Sequence, residues 1–333
     1  MKKILVLGCS SFGGSAFVNF MLDKNFFVVG TYRRKKNILY QPHLKNKNKV
    51  NFIDYKIDFD KDLFAIIEIV KKYKPEYIID FASICMVNES WNNPDVYIKS
   101  NLQVKSLFLR YIHKYSFIKK YVYISTPEIF GSNEQPIKEI EKVFNPSTPY
   151  AISKLSFEMM LKSYGQSYNF PYTICRFSNF YGAGQPNYRL IPKVILSINT
   201  GKKFPLQGNG KSKRDFINSY DFSNGIYLAI IKGKNKSTYH FSTGKYYTIK
   251  DVINKICKIK KYDFNKLIKI EKDRKGKDKT YKLNCTVTKK ELSWKPKINL
   301  DSALKEIIEF YENNLKEIRK LEIKYIDSNL TKN

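Results

Sequence analysis

Histidine, tryptophan and cysteine are scarce in this chain of 333 residues, and acidic residues are outnumbered two to one by basic ones. The three histidines, His43, His113 and His240, lie far apart. That removes the clustered imidazoles of a zinc centre and the histidine base of a Ser-His-Asp hydrolase, so no metal is expected. The cysteines (Cys9, Cys85, Cys175, Cys257, Cys285) are odd in number and lack ligand spacing, so reduced thiols are expected rather than a disulfide framework. No apolar run approaches the roughly 18–20 residues of a membrane span. A strand-like run begins at Lys2, which leaves no room for a cleavable leader, and a cytoplasmic protein is expected.

Sixty Lys and Arg against thirty Asp and Glu give a formal net charge of +30. Such an excess can mark a polyanion partner. Here the lysines are spread along the whole chain, with no zinc finger, RNA-binding signature or basic arm. With abundant Lys, Asn, Ile, Tyr and Phe, the charge reads as compositional drift that also steers anionic ligands; neither a nucleic acid nor a membrane is expected as partner.

Alternating strand and helix patterns run to about Phe177, followed by a Pro- and Gly-punctuated portion. The pattern predicts an α/β fold: a Rossmann-type doubly wound parallel sheet with a smaller C-terminal substrate-binding lobe. The expected division is 1–177 for the dinucleotide-binding domain, with strand returns later in the chain, 178–325 mainly for the second lobe, and a frayed tail over 326–333. Lys2 to Leu7 reads as the first strand. Gly8-Cys9-Ser10-Ser11-Phe12-Gly13-Gly14 then leads into a helix over Ala16 to Leu22. A strand, a glycine turn and a helix N-terminus cradle a pyrophosphate through backbone N–H groups. Gly8 and Gly14 stand at the outer positions of a Gly-x-x-Gly-x-x-Gly spacing, with Ser11 between them; a tight turn without a ligand is the bland alternative. The second strand, Phe27 to Tyr32, is followed by Arg33-Arg34-Lys35-Lys36. An acidic residue there would bind a ribose 2′-hydroxyl, whereas arginine accommodates a 2′-phosphate, so NADP is preferred with NAD as the alternative. Asp58 is placed either to accept from the adenine amino group or to cap a helix beginning near Lys61.

Two further motifs carry chemistry. Ser125-Thr126-Pro127-Glu128-Ile129-Phe130-Gly131 closes a strand-like run from Lys120, and Tyr150-Ala151-Ile152-Ser153-Lys154 opens a helix over Tyr150 to Tyr168. Tyr and Lys four residues apart share a helix face, so the ammonium can stabilise a phenolate and make Tyr150 a base. An ordinary surface Tyr-Lys pair is the alternative.

Together these residues resemble the extended short-chain dehydrogenases/reductases that act on nucleotide sugars, over nearly the whole chain. Arg176-Phe177-Ser178-Asn179-Phe180-Tyr181-Gly182 resembles the segment whose Asn touches the substrate phosphates. Leu190-Ile191-Pro192-Lys193, Leu206 to Gly210, Arg214-Asp215-Phe216-Ile217, Asp273-Arg274-Lys275-Gly276 and Lys289 to Pro296 resemble the nucleotide-binding and C-terminal portions. The resemblance implies that Tyr150 takes the proton of the sugar C4 hydroxyl, with Thr126 holding that oxygen. Lys154 is implied to orient the ribose and lower the Tyr150 pKa. By the same resemblance Phe81, Ala82 and Ser83 pass the nicotinamide. Asn101, on a helix from Asp95 to His113, matches a position that steadies the sheet beside the cofactor. Asn88 and Glu89 fall where the hexose sits, and Asn179, Leu190, Lys193, Arg214 and Arg274 belong to the nucleotide end. The stretch Asn88 to Trp91 is unusual for the family, so an N-acetylated hexosamine is one expected sugar.

Glu128 sits where the 4,6-dehydratases of the family place the base for the C5 proton. dTDP-glucose 4,6-dehydratases carry Thr-Asp-Glu there, the Asp protonating the departing C6 hydroxyl. Pro127 cannot do so, and the Thr-x-Glu pattern with paired arginines resembles the GDP-mannose type, in which one Glu acts as base and then as acid. The expectation is a 4,6-dehydratase of a GDP-, UDP- or dTDP-linked hexose or N-acetylhexosamine, with hydride recycled internally, serving surface polysaccharide synthesis. A 4-epimerase, a UDP-glucuronate decarboxylase and a 5,6-dehydratase are the alternatives within the family. A non-catalytic NADP-binding scaffold or sensor is the alternative of another class. The helices Asp95 to His113 and Tyr150 to Tyr168 resemble the pair that builds a four-helix contact in a homodimer.

Overall fold

The computed structural model describes residues 1–33, 35–273, 276 and 278–321. Six short strands alternate with helices: β1 (Lys3–Leu7), β2 (Phe27–Tyr32), β3 (Phe52–Lys56), β4 (Tyr77–Asp80), β5 (Lys120–Ser125) and β6 (Tyr172–Phe177). β4 and β6 are buried at every position, as strands covered on both faces must be. After β7 (Asn179–Tyr181), β8 (Phe204–Gln207) and β9 (Lys213–Asn218), the strand β10 (Ser237–Phe241) returns to pair with β6. The resulting seven-stranded sheet runs β3-β2-β1-β4-β5-β6-β10, parallel throughout. Strand order reverses between β1 and β4. A doubly wound sheet opens its ligand crevice at that point.

Helices α1 (Phe12–Asp23) and α2 (Leu63–Tyr73) follow β1 and β3. The single helix expected over Asp95 to His113 is instead α3 (Pro94–Ile98), a π-helical turn at Lys99–Gln103, and α4 (Val104–Ile112). The widened turn holds Asn101 against the loop after β4: its carboxamide accepts from Ile84 N–H (2.9 Å) and donates to Ile84 O (3.0 Å) and Ser153 Oγ (3.0 Å). Then come α5 (Pro149–Ser167), α6 (Leu190–Thr200), α7 (Ser219–Ile231) and α8 (Ile249–Ile259).

One face of the sheet is covered by α1 and α7, where Phe17, Met21, Phe222 and Ile226 build a core with β1 and β6. The other carries α2, α4 and α5, with Ile66, Phe108, Phe157 and Leu161 against β4 and β5. A separate core, containing Val194, Ile195, Leu206, Ile253 and Leu304, joins α6, β8 and α8 to the helix Leu300–Asn313. That smaller lobe also has a three-stranded sheet of β11 (Tyr246–Thr248), β9 and β7, and the pair of β12 (Ile268–Glu271) with β8. Among the described residues no helix is long and apolar enough to cross a membrane, and no cluster of ligating side chains suits a metal. The tail expected over 326–333 lies outside the described residues.

Trp294 fastens the end of the chain to the sheet. It is fully buried, donates its indole N–H to Asp221 O (3.0 Å) and meets Phe241 of β10 edge to face at 5.1 Å. Asp221 in turn accepts from the N–H groups of Lys297 and Ile298. Trp294→Ala is expected to cost about 3–5 kcal/mol of stability, read as a lowered urea midpoint.

Candidate active site

The turn between β1 and α1 is built to bring backbone close to a ligand. Gly8 has φ +78°, and a Cβ there would lie 3.0 Å from Phe81 C and 3.1 Å from Ala82 N. A Cβ on Gly14 would lie 2.3 Å from Gly8 O. Ser11 takes the middle position by hydrogen bonding: its hydroxyl donates to Gly8 O (2.8 Å) and accepts from Gly14 N–H (3.1 Å), capping α1. Ser10 is half-buried, and Phe12 stacks on Phe180 at 5.5 Å, tying the turn to the smaller lobe. With the N-terminus of α1 behind them, these groups fit the pyrophosphate of a dinucleotide.

At the tip of β2 the backbone continues from Tyr32 into Arg33; Arg34 lies outside the described residues. Two residues back from the tip, Asp54 of β3 lies opposite Gly30 and is bonded to Lys36 (2.7 and 2.8 Å), which also lies over the Tyr32 ring. Asp58 does not cap α2. That helix starts at Leu63 behind Asp62, and Asp58 instead accepts from Asp60 N–H at 3.1 Å, closing a local turn.

Thr126 follows β5 and caps the short 3-10 turn Pro127–Phe130, which Pro127 opens at a position where the missing N–H is not needed. The turn brings Glu128 back beside Thr126, whose Oγ1 accepts from Glu128 N–H at 3.3 Å. Across from it Thr148 caps α5 by accepting from Ala151 N–H (3.2 Å), which sets Tyr150 and Lys154 on the inward face of the helix. Thr126 and Tyr150 are both buried. Burial pushes the Tyr150 phenol up, and the neighbouring Glu128 and Cys85 push the same way; the hydrogen bond with Thr126 and the charge of Arg189 pull it down.

Lys154 departs from expectation. Its ammonium donates to Ile124 O (2.7 Å) and Ser83 Oγ (2.9 Å) and sits 4.1 Å from the Tyr123 ring centroid, so the strand end rather than the phenol holds it. It is not among the main influences on Tyr150. Burial lowers its own pKa to about 7, with Lys105 acting in the same sense. The bond to Ser83 ties the segment Phe81-Ala82-Ser83 to α5. Asn101 is fully buried with its carboxamide bonded to Ile84 and Ser153, so it positions this loop and α5.

In the loop after β4, Ile84 and Val87 pack with Tyr150, and Cys85 acts on its phenol. Cys85 is exposed and accepts from Arg189 at 3.2 Å, and both act on Tyr150. Asn88 is exposed, and Glu89 begins the 3-10 turn Glu89–Trp91 further along. Leu190 opens α6 immediately after Arg189. Lys193, one turn on, leans over the Phe204 ring of β8 at 5.7 Å. Asn179 accepts at 2.7 Å from Tyr281, whose ring carries the Arg214 guanidinium at 4.5 Å. Arg214 also donates to the carbonyls of Lys213 (2.7 Å) and Asp278 (2.9 Å). Burial pushes the Tyr281 phenol up, Arg214 pulls it down and Glu128 adds to the rise, so Glu128 and the Arg214 cluster lie within electrostatic reach of one ring. Arg274 lies outside the described residues. Sequence reasoning missed Arg189, Cys85 and Tyr281. Arg189 adjoins a motif that it did single out, but a lone Arg in so basic a chain gives no signal of its own.

The cleft therefore joins a dinucleotide cradle, a hydroxyl-directed Tyr and Thr, an adjacent carboxylate, and two guanidinium groups suited to phosphates. The family model described as GDP-mannose 4,6 dehydratase matches residues 5–307. The dTDP-glucose 4,6-dehydratase of Haemophilus influenzae is 28% identical, the alignment covering 93% of this chain and 98% of that protein. The structure of dTDP-glucose 4,6-dehydratase from Bacillus anthracis in complex with NAD superposes with a TM-score of 0.84 at 26% identity, covering 97% of this chain and 100% of that one. UDP-glucose 4-epimerase from Thermotoga maritima with UDP-glucose gives a TM-score of 0.84 at 27% identity, covering 94% and 99%.

Proposed function

Because the chain belongs to the GDP-mannose 4,6 dehydratase family, within the extended short-chain dehydrogenases/reductases, we propose that it is a hydro-lyase converting a nucleotide-linked hexose to its 4-keto-6-deoxy form. The observation that carries this reading beyond the shared fold is Glu128 placed beside Thr126 and Tyr150, since 4-epimerisation needs no carboxylate there.

Gly8, Ser11, Gly14 and the Phe81–Ser83 segment would hold the dinucleotide. When bound, that cofactor would supply hydride chemistry, taking the hydride of the sugar C4 and returning it at C6. Tyr150, as the phenolate, removes the proton of the C4 hydroxyl while the Thr126 hydroxyl holds the same oxygen, and the charge of Arg189 favours the phenolate that must be present beforehand. The new ketone acidifies C5. Glu128 takes the C5 proton, and the carboxylic acid so formed gives it to the C6 oxygen, which departs as water; C5 then regains a proton from solvent as hydride arrives at C6, and Tyr150 returns the C4 proton to solvent. Pro127 has no proton to give, so one carboxyl group serves both halves of the elimination. Arg214 and Asn179 would meet the phosphates.

NADP is the proposed cofactor form, since Arg33 follows β2 directly and the nearby Asp54 is occupied by Lys36; the Bacillus anthracis relative was solved with NAD. GDP-linked sugars lead the substrate proposal, with dTDP- and UDP-linked sugars next, and surface polysaccharide synthesis in the cytoplasm is the proposed setting. A homodimer through α4 and α5 is supported by exposed Leu107, Ile152 and Met159 on those helices.

The test is to incubate the protein with GDP-, dTDP- and UDP-linked hexoses and N-acetylhexosamines in deuterated water, with NADP and NAD in parallel. Loss of one water, a methyl group at C6 and deuterium at C5 are expected. Loss of carbon dioxide from a glucuronate, inversion at C4 without mass change, or NADP binding without turnover would each replace this reading.

A further inference from the structure

Beneath the site, on the face of the sheet covered by α4 and α5, lies a charged pair that the chemistry above does not use. Asp80 closes β4, and its carboxylate accepts from Lys105 Nζ of α4 at 2.6 and 2.5 Å and from Tyr121 Oη at 2.7 Å. Both members of the pair are fully buried. Stability alone is a weak reason for such a pair, because taking two charges out of water costs about as much as their attraction returns, and an apolar replacement often does as well.

The pair reaches Lys154 by two routes. Through the backbone, Asp80 accepts from Ala82 N–H at 2.9 Å, which fixes the loop whose next residue, Ser83, receives the Lys154 ammonium. Through space, Tyr123 lies between two cations: Lys105 Nζ is 5.4 Å and Lys154 Nζ 4.1 Å from its ring centroid. Asp80 is the register partner of Tyr123 across β4 and β5. We propose that the Asp80–Lys105 pair is a positioning element for Lys154, holding the loop that receives its ammonium and setting its charge by balancing one buried anion against one buried cation. The proposal rests on the reading of Lys154 as a catalytic residue.

Lys154 faces the Tyr123 ring, and four further charged or titratable groups act on its proton. Lys105 from α4 opposes its proton, while Asp80 from β4, Glu158 from the next turn of α5 and Cys85 from the loop after β4 favour it. Behind Lys105 stands Asp60, which accepts from Ser100 Oγ at 3.0 Å. Removing Lys105 leaves Asp80 pulling on Lys154, so the ammonium should persist to higher pH. Removing the Asp80 charge leaves Lys105 pushing, so it should be lost at lower pH. Removing both should bring the midpoint back towards that of the parent.

The experiment is an NMR titration of protein labelled with 13C at lysine Cε, with the Lys154 signal assigned by its loss in K154R, and no sugar nucleotide present. K105M is expected to raise the midpoint and D80N to lower it, each on the order of one pH unit, with D80N/K105M lying between. K105Q, which keeps a donor towards Asp80, takes the place of K105M if that variant does not fold. Midpoints that coincide with the parent, or that move in the same direction in both single variants, overturn the proposal and leave the pair a packing element. Because no turnover is measured, that outcome is separate from any failure of the dehydratase reading, which the product assay decides.

Discussion

Glu128→Gln is expected to lower formation of the 4-keto-6-deoxy product by about 10²–10⁴-fold, the usual worth of a positioned acid–base group. The amide keeps the size of the side chain and leaves Glu128 N–H on Thr126, so the 3-10 turn and the Tyr150–Thr126 contact should persist. Oxidation at C4 does not involve the carboxylate. Reduced nicotinamide absorbance should therefore build up in a single turnover and decay slowly, and deuterium should not enter C5. Product formation at the parent rate would remove Glu128 from the elimination.

Tyr150→Phe stalls the reaction one step earlier. Without the phenolate the inward face of α5 loses the oxygen that takes the C4 proton, while the Lys154 side chain is engaged by Ile124 O and Ser83. A loss of about 10³–10⁴-fold is expected, with no transient of reduced nicotinamide and cofactor affinity close to that of the parent. The ring is buried and packs edge to face on Tyr97 at 6.4 Å, so loss of the hydroxyl leaves that packing in place. A transient of parental size in Y150F would show that another group starts the reaction. Run side by side, the two variants separate oxidation from elimination.

Much of this site could be read in the sequence because its parts are local. A strand followed by Gly8, Ser11 and Gly14 is a contiguous pattern, and so are Thr126 with Glu128 and Tyr150 with Lys154. Ser11 illustrates how a departure from the pattern is absorbed, since its hydroxyl closes the turn that a glycine would leave open. What stayed hidden depends on residues distant in the chain. Arg189 and Cys85 are brought together by the approach of the smaller lobe to the loop after β4, and Tyr281 meets Asn179 in the same way. The direction of the Lys154 ammonium was hidden too, because it is set by a carbonyl on β5 and a hydroxyl after β4. The helix over Asp95 to His113 was foreseen as one piece, but the π-helical turn at Lys99–Gln103 comes from the tertiary bonds of Asn101, which local periodicity cannot encode.

The late return of β10 to the sheet bears on how the chain reaches its folded state. Until the segment through Phe241 has been synthesised, β6 has no partner on its outer side and presents an open row of backbone donors and acceptors, a template for pairing with other chains. The cofactor-binding half therefore cannot close as an early, independent unit during translation, and its last strand joins only after much of the smaller lobe has emerged. A fragment ending near Phe177 would carry Thr126, Glu128, Tyr150 and Lys154 and still be prone to aggregate.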